Sequence, residues 1–167
     1  MKRRELLAAT AATSLLVLAS CNTTQTNPNN GTVDYILVEK KKRVLTLYSQ
    51  NKKVKTYKIH LGFSPLGHKK QENDGKTPEG KYTIWKKNPN SAFHLSLWIS
   101  YPNQADVDQA TARGVSPGGE IFIHGGPNRK ENMNKNDWTA GCIAVTDQEI
   151  EEIYNYTKIG AIIEIRA

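Results

Sequence analysis

Short stretches in which apolar and polar residues alternate occupy most of the chain from Val33 onward. This alternation predicts β-strands, because successive side chains of a strand point to opposite faces of a sheet. The strands predicted in this way are residues 34–38, 43–48, 53–61, 82–85, 94–100, 120–123 and 161–165. Between the first two strands, the run Lys40-Lys41-Lys42 predicts a solvated turn. A later segment rich in Gly, Pro, Asn and Asp predicts a long loop over residues 62–80.

Two helices are predicted among these strands. The first covers residues 104–113 and is ended by Gly114. The second begins after Thr146, whose spacing to Glu149 is that of a capping box, and is expected to stop near Gly160. Many short strands with two short helices predict a mainly β domain, a β-sandwich of short mixed strands without an internal repeat or a second domain.

The first 20 residues have the composition of an export signal. Three basic residues are followed by an uncharged run rich in Ala, Leu and Thr, which ends in Leu18-Ala19-Ser20-Cys21. The run is shorter than the roughly 20 apolar residues of a membrane-spanning helix. An uncleaved anchor and a plain signal peptide are the alternatives to lipoprotein processing. The Leu-Ala-Ser-Cys string resembles the bacterial lipobox, which implies that Cys21 carries lipid and anchors the mature chain to a membrane outside the cytosol.

The chain is therefore expected to have three parts. Residues 1–20 are the lipoprotein signal peptide, residues 21–32 are the lipidated cysteine and a polar flexible linker, and residues 33–167 are one folded domain. The expected location is the cell envelope or periplasm. Asn22, where Asp would imply retention at the inner membrane, favours the outer membrane by the same resemblance.

The mature chain is basic. Loss of the leader, with three basic residues and one acidic residue, lowers the net charge from +7 to +5. A basic surface suits nucleic acid, anionic lipid or an acidic polymer, or serves solubility alone. The export signal argues against nucleic acid and leaves the carboxylate-bearing cell wall as the expected acidic partner. Nothing in the sequence predicts an oligomer, so a monomer is expected.

Cys142 is the expected nucleophile. With Cys21 lipidated, it has no disulfide partner within the chain, and an unpaired cysteine in an exported protein is intermolecular, inert or reactive. His124 ends the strand at 120–123 and is followed by Gly125, whose carbonyl could hold one ring nitrogen while the other serves as a base. Gly141 and Cys142 lie at a turn where their amides could stabilise an oxyanion. A reactive thiol of this kind is expected to titrate well below about 8.5.

Other interpretations of these two residues are weaker. A free cysteine is often a small buried hydrophobe, and a histidine is often a satisfied core residue. The glycines beside both residues favour catalysis. A zinc site is not expected, because the sequence has no Cys-x-x-Cys or His-x-x-x-His spacing.

Two motif blocks resemble the L,D-transpeptidase catalytic domain of the YkuD type. The first is Asp74-Gly75-Lys76-Thr77-Pro78-Glu79-Gly80-Lys81-Tyr82, and the second is His124-Gly125 followed by Thr139-Ala140-Gly141-Cys142-Ile143. The resemblance covers about Val33 to Ile165. It implies a β-sandwich and a cofactor-free reaction in which Cys142 attacks a peptidoglycan stem peptide at the L-centre of a diamino acid, releases D-Ala and forms a thioester. His124 would be the base, Gly125 its orienting partner, and Gly141 and Cys142 the oxyanion hole.

The chain departs from the widespread family pattern at two positions. Ala140 stands where a histidine is frequent, and Ala144 stands where an arginine is usual. An arginine would bind a stem-peptide carboxylate, so its absence leaves the substrate open. The Gly-Cys-Ile-Ala ending and the segment 93–103 resemble a divergent, YafK-like branch, parts of which cut wall–protein or peptide links.

Three functions therefore remain open. The first is transpeptidation with an amine acceptor, in cell wall cross-linking or remodelling. The second is hydrolysis of the same thioester, by an L,D-carboxypeptidase or by an amidase that releases a wall-linked lipoprotein. The third, from another class, is a non-catalytic wall-binding lipoprotein. Candidate substrate-binding residues are His68, His94, Tyr101 and Trp138, and Trp138 is favoured because it lies close to Cys142 in the sequence.

Overall fold

The computed structural model describes residues 32–167 of the 167-residue chain. The predicted signal peptide, Cys21 and nearly all of the predicted linker lie outside the described residues. Within residues 32–167, no helix is long and apolar enough to span a bilayer. The predicted division of the chain into three parts stays a prediction.

Eight strands and two α-helices make up the described part of the chain. The strands are β1 (Val33–Glu39), β2 (Val44–Ser49), β3 (Lys52–Lys58), β4 (Gly80–Ser91), β5 (His94–Ile99), β6 (Phe122–His124), β7 (Ile143–Ala144) and β8 (Thr157–Arg166). The helices are α1 (Gln104–Ala112) and α2 (Asp147–Tyr156), and a 3-10 turn covers Lys130–Asn132. The prediction of a mainly β domain with two short helices is confirmed.

The strands form one mixed sheet in the order β3-β2-β1-β8-β4-β5-β6-β7. The β1–β8 and β6–β7 pairs are parallel, and the other neighbours are antiparallel. The sheet curls until its ends meet. His60, which follows β3, exchanges two backbone hydrogen bonds of 2.9 and 2.8 Å with Ala144 of β7. Two opposed halves of the sheet, which share β4, thus enclose the core.

The core consists mainly of branched aliphatic side chains from the inward faces of the strands. Each fully buried Ile or Leu contributes about 1.5 to 3 kcal/mol of transfer free energy. α2 packs its apolar side against β5 and β6 through Ile150 and Ile153, both fully buried. This packing places the start of α2 beside the end of β6. Fully buried members of the core include Ile36, Leu45, Leu47, Leu61, Ile84, Leu97, Ile123, Ile143 and Ile163.

The start of α2 was predicted correctly and its end was not. The Thr146 hydroxyl accepts from the Glu149 N–H at 3.3 Å, and the Glu149 carboxylate accepts from the Thr146 N–H at 2.9 Å. The helix ends at Tyr156 instead of near Gly160, and β8 begins at the next residue. Thr157 is fully buried and pairs with Val33 of β1, so tertiary pairing ends the helix early.

Two further predictions are corrected. β4 continues to Ser91 rather than ending near residue 85, because its polar second half pairs with β5. Lys40 is buried rather than solvated. Its amine donates to the carbonyls of Gly67 and Thr77 at 2.6 and 2.8 Å and pairs with Glu79 at 2.9 Å. Lys40 thereby fastens the loop at residues 62–80 to the sheet.

Candidate active site

The pairing of β6 with β7 places Cys142 and His124 on one face of the sheet. Ile123 is in register with Ile143, and His124 with Ala144, in a parallel pair. Residues in register point to the same face, and alternate residues of a strand share a face. Cys142 precedes Ala144 by two residues and therefore lies on the face of His124. Both side chains line one cavity of about 240 Å³.

The His124 ring is buried and fixed in one tautomer. Its exposed fraction is 1%. Nδ1 lies 2.6 Å from the Gly125 carbonyl oxygen, which can only accept, so Nδ1 carries the proton and the neutral ring has its lone pair on Nε2. The rings of Phe93 and Trp138 lie 4.3 and 5.6 Å from the imidazole, centroid to centroid. Burial lowers the His124 pKa to about 4, and the bond to Gly125 opposes this shift without cancelling it. The imidazole is therefore neutral at pH 7.

The Gly125-Gly126 loop is held from two sides. The Gly125 N–H donates to the Phe93 carbonyl at 3.1 Å, and the Gly126 N–H donates to Asp147 Oδ1 at 2.7 Å. A Cβ on Gly125 would lie 2.4 Å from the same Asp147 oxygen, so only glycine fits. The first residue of α2 and the turn between β4 and β5 thus fix the carbonyl that orients His124.

The Cys142 thiol has a backbone partner, and burial favours its protonated form. Its sulfur donates to the Glu120 carbonyl at 3.5 Å. Burial raises the Cys142 pKa to about 11, and a hydrogen bond from the Phe122 backbone and the charge of Lys69 lower it by less. This direction is opposite to that of the expected thiol, which titrates well below about 8.5. The physical reason is that desolvation penalises the thiolate and the neutral His124 supplies no compensating charge.

Thr139 organises the turn that carries Cys142. Its hydroxyl accepts from the Gly141 N–H at 3.1 Å and donates to the Cys142 carbonyl at 2.7 Å. The Gly141 N–H thus already has a hydrogen-bond partner inside the turn, and its place in an oxyanion hole stays a prediction. Within residues 32–167 the Cys142 N–H donates no such bond, so Cys142 is the remaining predicted donor. Sequence reasoning missed Thr139, although a hydroxyl two residues before a turn glycine is a known signal for such a bond.

The backbone of the loop at residues 62–80 packs directly against this turn, at Gly62, Gly75 and Gly141. A Cβ on Gly62 would lie 2.1 Å from the Gly75 carbonyl oxygen and 2.9 Å from the Gly141 Cα. A Cβ on Gly141 would lie 2.7 Å from the Lys76 carbonyl oxygen. The backbones of the two motif blocks therefore touch directly, and the first block supports the second.

A second and larger cavity opens on the other side of Cys142. It measures about 490 Å³ and shares Ala140 and Cys142 with the first cavity. Lys69 lines it but is buried, and its amine bonds Asp74 at 2.9 Å and the Gln71 carbonyl at 3.0 Å. The thiol therefore lies between two cavities. No group of three or more His, Cys, Asp or Glu side chains within residues 32–167 could hold a metal ion.

The L,D-transpeptidase catalytic domain (YkuD) model matches residues 33–165. The chain belongs to this family. The Escherichia coli K12 protein YafK, whose name assigns L,D-transpeptidase activity only provisionally, is 31% identical over 139 residues, 80% of this chain and 50% of YafK. The chain thus spans about half the length of the curated relatives it matches.

Two solved structures of similar proteins share the fold. The helical cell shape determining protein Pgp2 from Campylobacter jejuni superposes with a TM-score of 0.63 and 27% identity, over 84% of this chain and 51% of Pgp2. Bd1075 from Bdellovibrio bacteriovorus superposes with a TM-score of 0.59 and 26% identity, over 82% of this chain and 48% of Bd1075. The predicted membership of the L,D-transpeptidase family is confirmed.

Two histidines predicted to bind substrate lie away from the thiol in this L,D-transpeptidase domain. The His68 ring accepts from the Glu79 N–H at 3.0 Å and lies 3.1 Å from Asp106, so it joins the long loop to α1. His94 pairs with Glu151 of α2 at 2.7 Å. Neither lines a cavity beside Cys142. Both carry out local structural roles that their sequence context did not reveal.

The two aromatic candidates for substrate binding, Tyr101 and Trp138, lie in different parts of the domain. Tyr101 is buried, donates to the Pro117 carbonyl at 2.9 Å and packs edge-on against Tyr82, so it belongs to the core rather than to the cavities. Trp138 lines the smaller cavity, as expected. Sequence reasoning missed the polar residues that line the same cavity, which are Asn128, Arg129 and Asn132.

Proposed function

We propose that this chain is a cysteine acyltransferase that acts on peptidoglycan stem peptides through a thioester on Cys142. One observation carries the proposal. Cys142 and His124 lie on the same face of the sheet and in the same cavity, and the bond from Nδ1 to Gly125 leaves Nε2 free to take the thiol proton. An activated thiol is sufficient for acyl transfer, so no cofactor is part of the proposal.

In the first half-reaction, the Cys142 sulfur bonds to the carbonyl carbon at the L-centre of the diamino acid while its proton passes to Nε2 of His124. The carbonyl oxygen becomes an oxyanion near the Cys142 N–H. The bond from the carbonyl carbon to the D-Ala nitrogen then breaks, and D-Ala takes the proton from His124. The products are a thioester and a neutral imidazole. Because both groups start neutral, proton transfer accompanies the attack instead of preceding it.

We infer the occupants of the two cavities from the position of His124. The leaving amine must receive its proton from His124, so D-Ala occupies the smaller cavity, where His124 and Arg129 both lie. Arg129 lines the same cavity, with an exposed side chain whose guanidinium lies 3.8 Å from the Glu131 carboxylate, and a guanidinium is a suitable partner for the D-Ala carboxylate. The rest of the donor stem extends from Cys142 into the larger cavity. Arg129 thereby supplies the cation that is missing at Ala144.

In the second half-reaction, an acceptor enters the cavity that D-Ala has left. An amine attacks the thioester carbon, His124 takes its proton, and the proton returns to the departing sulfur. Two separate cavities beside Cys142 favour this transpeptidation, because donor and acceptor each need room. Pgp2 is named for cell shape, and we infer a role of the same kind, in wall remodelling, for this chain.

Hydrolysis is the second candidate, with water in place of the amine. The observation that favours it is Ala144, which is fully buried and bonded to His60 through its backbone, so this position offers an acceptor no cation. The activity would then be that of an L,D-carboxypeptidase or of an amidase that releases wall-linked lipoprotein.

The test is intact mass spectrometry of the full chain incubated with purified stem tetrapeptide monomers and dimers. We expect a tripeptide adduct on Cys142 and release of D-Ala, both absent from Cys142→Ala and retained in the matched control Cys21→Ser. New cross-linked dimers would assign transpeptidation, and D-Ala release or dimer cleavage without them would assign hydrolysis. Absence of adduct and product from the unmodified chain would refute the proposal.

A further inference from the structure

Three aromatic rings form a continuous row across β4, β5 and β6. The Trp85 and Trp98 ring centroids are 5.4 Å apart with the rings edge to face, and those of Trp98 and Phe122 are 4.6 Å apart. This row, here named the aromatic stripe, ends at Phe122, which also lines the smaller cavity beside Cys142. The stripe therefore leads to the nucleophile.

The strand register places the stripe on the catalytic face of the sheet. Trp98 is paired with Phe122, and Ser96 is paired with His124, in the antiparallel β5–β6 ladder. Paired residues point to the same face, and alternate residues of a strand share it. Trp98, Phe122 and His124 therefore lie on one side of the sheet.

A break in the strand register accounts for the exposure of Trp85. The pairing of β4 with β5 shifts between Ile84 and Lys86, as at a β-bulge. Trp85 and Lys86 are consecutive in the strand, yet both are exposed, and Trp85 is 50% exposed. The Lys86 amine lies 4.6 Å from the Trp98 ring centroid, so its charge is held over the stripe. Bulges beside active sites re-aim side chains in this way.

We propose that the aromatic stripe binds the glycan strand of peptidoglycan, so that the enzyme grips the sugar chain while Cys142 acts on a stem peptide. The proposal rests on the proposed function, because stem peptides are attached to that strand. Pyranose rings carry C–H groups on their faces, and the partial positive charge of these hydrogens suits the negative face of an aromatic ring. The exposed Trp85 ring offers such a face to a sugar of an N-acetylated, uncharged chain, and the Lys86 ammonium beside it can donate to sugar hydroxyl or acetamido oxygens.

Continuity with the reaction cavity argues for this occupant. Trp85 is exposed, whereas Trp98 and Phe122 are partly buried. An exposed aromatic residue in a row that ends at the wall of the reaction cavity suits a substrate that extends out of this cavity. A lipid surface or an apolar protein segment could contact the aromatic rings, but its binding would not require that the stripe lead to Cys142.

The direct test follows the indole N–H resonances of ¹⁵N-labelled full chain. The protein has three tryptophans, two in the stripe and Trp138 in the cavity, so each region has its own signal. The probe is the N-acetylglucosamine tetramer, which contains no stem peptide. We expect the Trp85 and Trp98 resonances to shift while that of Trp138 stays. A shift of Trp138 alone, or no shift of Trp85 and Trp98, would overturn the proposal, as would shifts with phospholipid vesicles and none with the tetramer.

The kinetic test compares a disaccharide-linked stem tetrapeptide with the free tetrapeptide. Trp85→Leu should raise KM for the disaccharide-linked substrate about fivefold and leave the free peptide unchanged, while Trp85→Phe should restore most of the loss. Leu66→Ala is the matched control, because Leu66 is an exposed apolar residue outside the stripe. Equal KM changes for both substrates, or none, would sink the glycan proposal. If neither substrate reacts but Trp85 and Trp98 still shift with the tetramer, the proposed reaction fails and the glycan site stands.

Discussion

At the scale of single residues, the candidate catalytic pair rests in its neutral form. Desolvation acts in opposite directions on the two groups: it lowers the pKa of His124 to about 4 and raises that of Cys142 to about 11. Both shifts disfavour a preformed thiolate–imidazolium pair. In the proposed reaction, charge on this pair would therefore form only as the thiol attacks a substrate carbonyl.

The lowered pKa of His124 predicts a loss of stability in acid. The unfolded chain has an ordinary histidine pKa near 6.5, while the folded chain holds it at about 4, so the unfolded state binds more protons between these values. The His124 contribution is fully present above pH 6.5 and is lost as the pH falls to 4, by at most about 3 kcal/mol. Urea unfolding at pH 7 and pH 4.5, compared between the unmodified chain and His124→Gln, measures it. Identical pH dependence of the two proteins would contradict this prediction.

Arg129 is predicted to anchor the carboxylate of D-Ala in the smaller cavity. Arg129→Ala should raise KM for the stem tetrapeptide about tenfold with little change in kcat, because a charged hydrogen bond to the substrate is lost in ground state and transition state alike. Arg129→Lys should keep part of the affinity. Lys130→Ala is the control for a neighbouring charge outside the cavity. Steady-state D-Ala release is the measurement, and an unchanged KM in Arg129→Ala would refute the assignment.

At the scale of elements, the conformation of the turn that carries Cys142 depends on the loop at residues 62–80, which is distant in sequence. β7 has only two residues, and the turn before it is fixed by Thr139 and by the backbone of the loop at 62–80. The position of Cys142 relative to His124 is therefore set by the β6–β7 register together with this contact.

The close packing of Gly62 against Gly75 and Gly141 gives a prediction for the loop at residues 62–80. Gly62→Ala should lower the free energy of unfolding by about 2 kcal/mol or more, because the new Cβ would lie 2.1 Å from the Gly75 carbonyl oxygen. It should also reduce acylation, since the Gly141 backbone must move. Gly119→Ala is the matched stability control, because its nearest neighbour, an atom of Pro102, is 4.0 Å away. Denaturant unfolding of both variants measures the effect. Equal free energies of unfolding would contradict the prediction, because the loop would then accommodate the Cβ without cost.

At the scale of the whole molecule, one face of the curled sheet carries the candidate active site. Strands β4 to β6 carry the aromatic stripe and His124, and Cys142 directly precedes β7. The first residue of α2 fixes the loop after His124. The bond between Ala144 and His60 joins the last strand to the segment after β3. The reaction site thus depends on closure of the entire sheet.

The N-terminal segment gives the prediction that belongs to the whole chain. We propose that the mature protein begins at lipidated Cys21 and is held at a cell-envelope membrane, with the outer membrane favoured. Expression in a bacterial host should give a mature chain whose mass exceeds that of residues 21–167 by a lipid, in the membrane fraction. Cys21→Ser should abolish the added mass, and Asn22→Asp should shift the chain toward the inner membrane. An unmodified Met1 terminus would contradict the proposal.

The sequence predicted local features well, and it predicted contacts between distant segments poorly. The Thr146 capping box, the strand ending in His124 and the Gly125 partner depend on neighbours within a few residues, and the structure has all three. Lys40, assigned to a solvated turn, is buried because residues 67 to 79 close over it. The Gly141 amide was assigned to an oxyanion, but a hydroxyl two residues away already takes it.

The sequence by itself determined the family, the mainly β class and the residue types that could react, because periodicity, caps and motif spacing are written along the chain. Only the tertiary structure decided that Cys142 and His124 share a cavity, that both are neutral, and that Arg129 joins them while His68, His94 and Tyr101 do not. Burial, register and the aromatic stripe arise from contacts between segments far apart in sequence. Such contacts set dielectric environment and orientation, and these two quantities turn a thiol and an imidazole into a candidate active site.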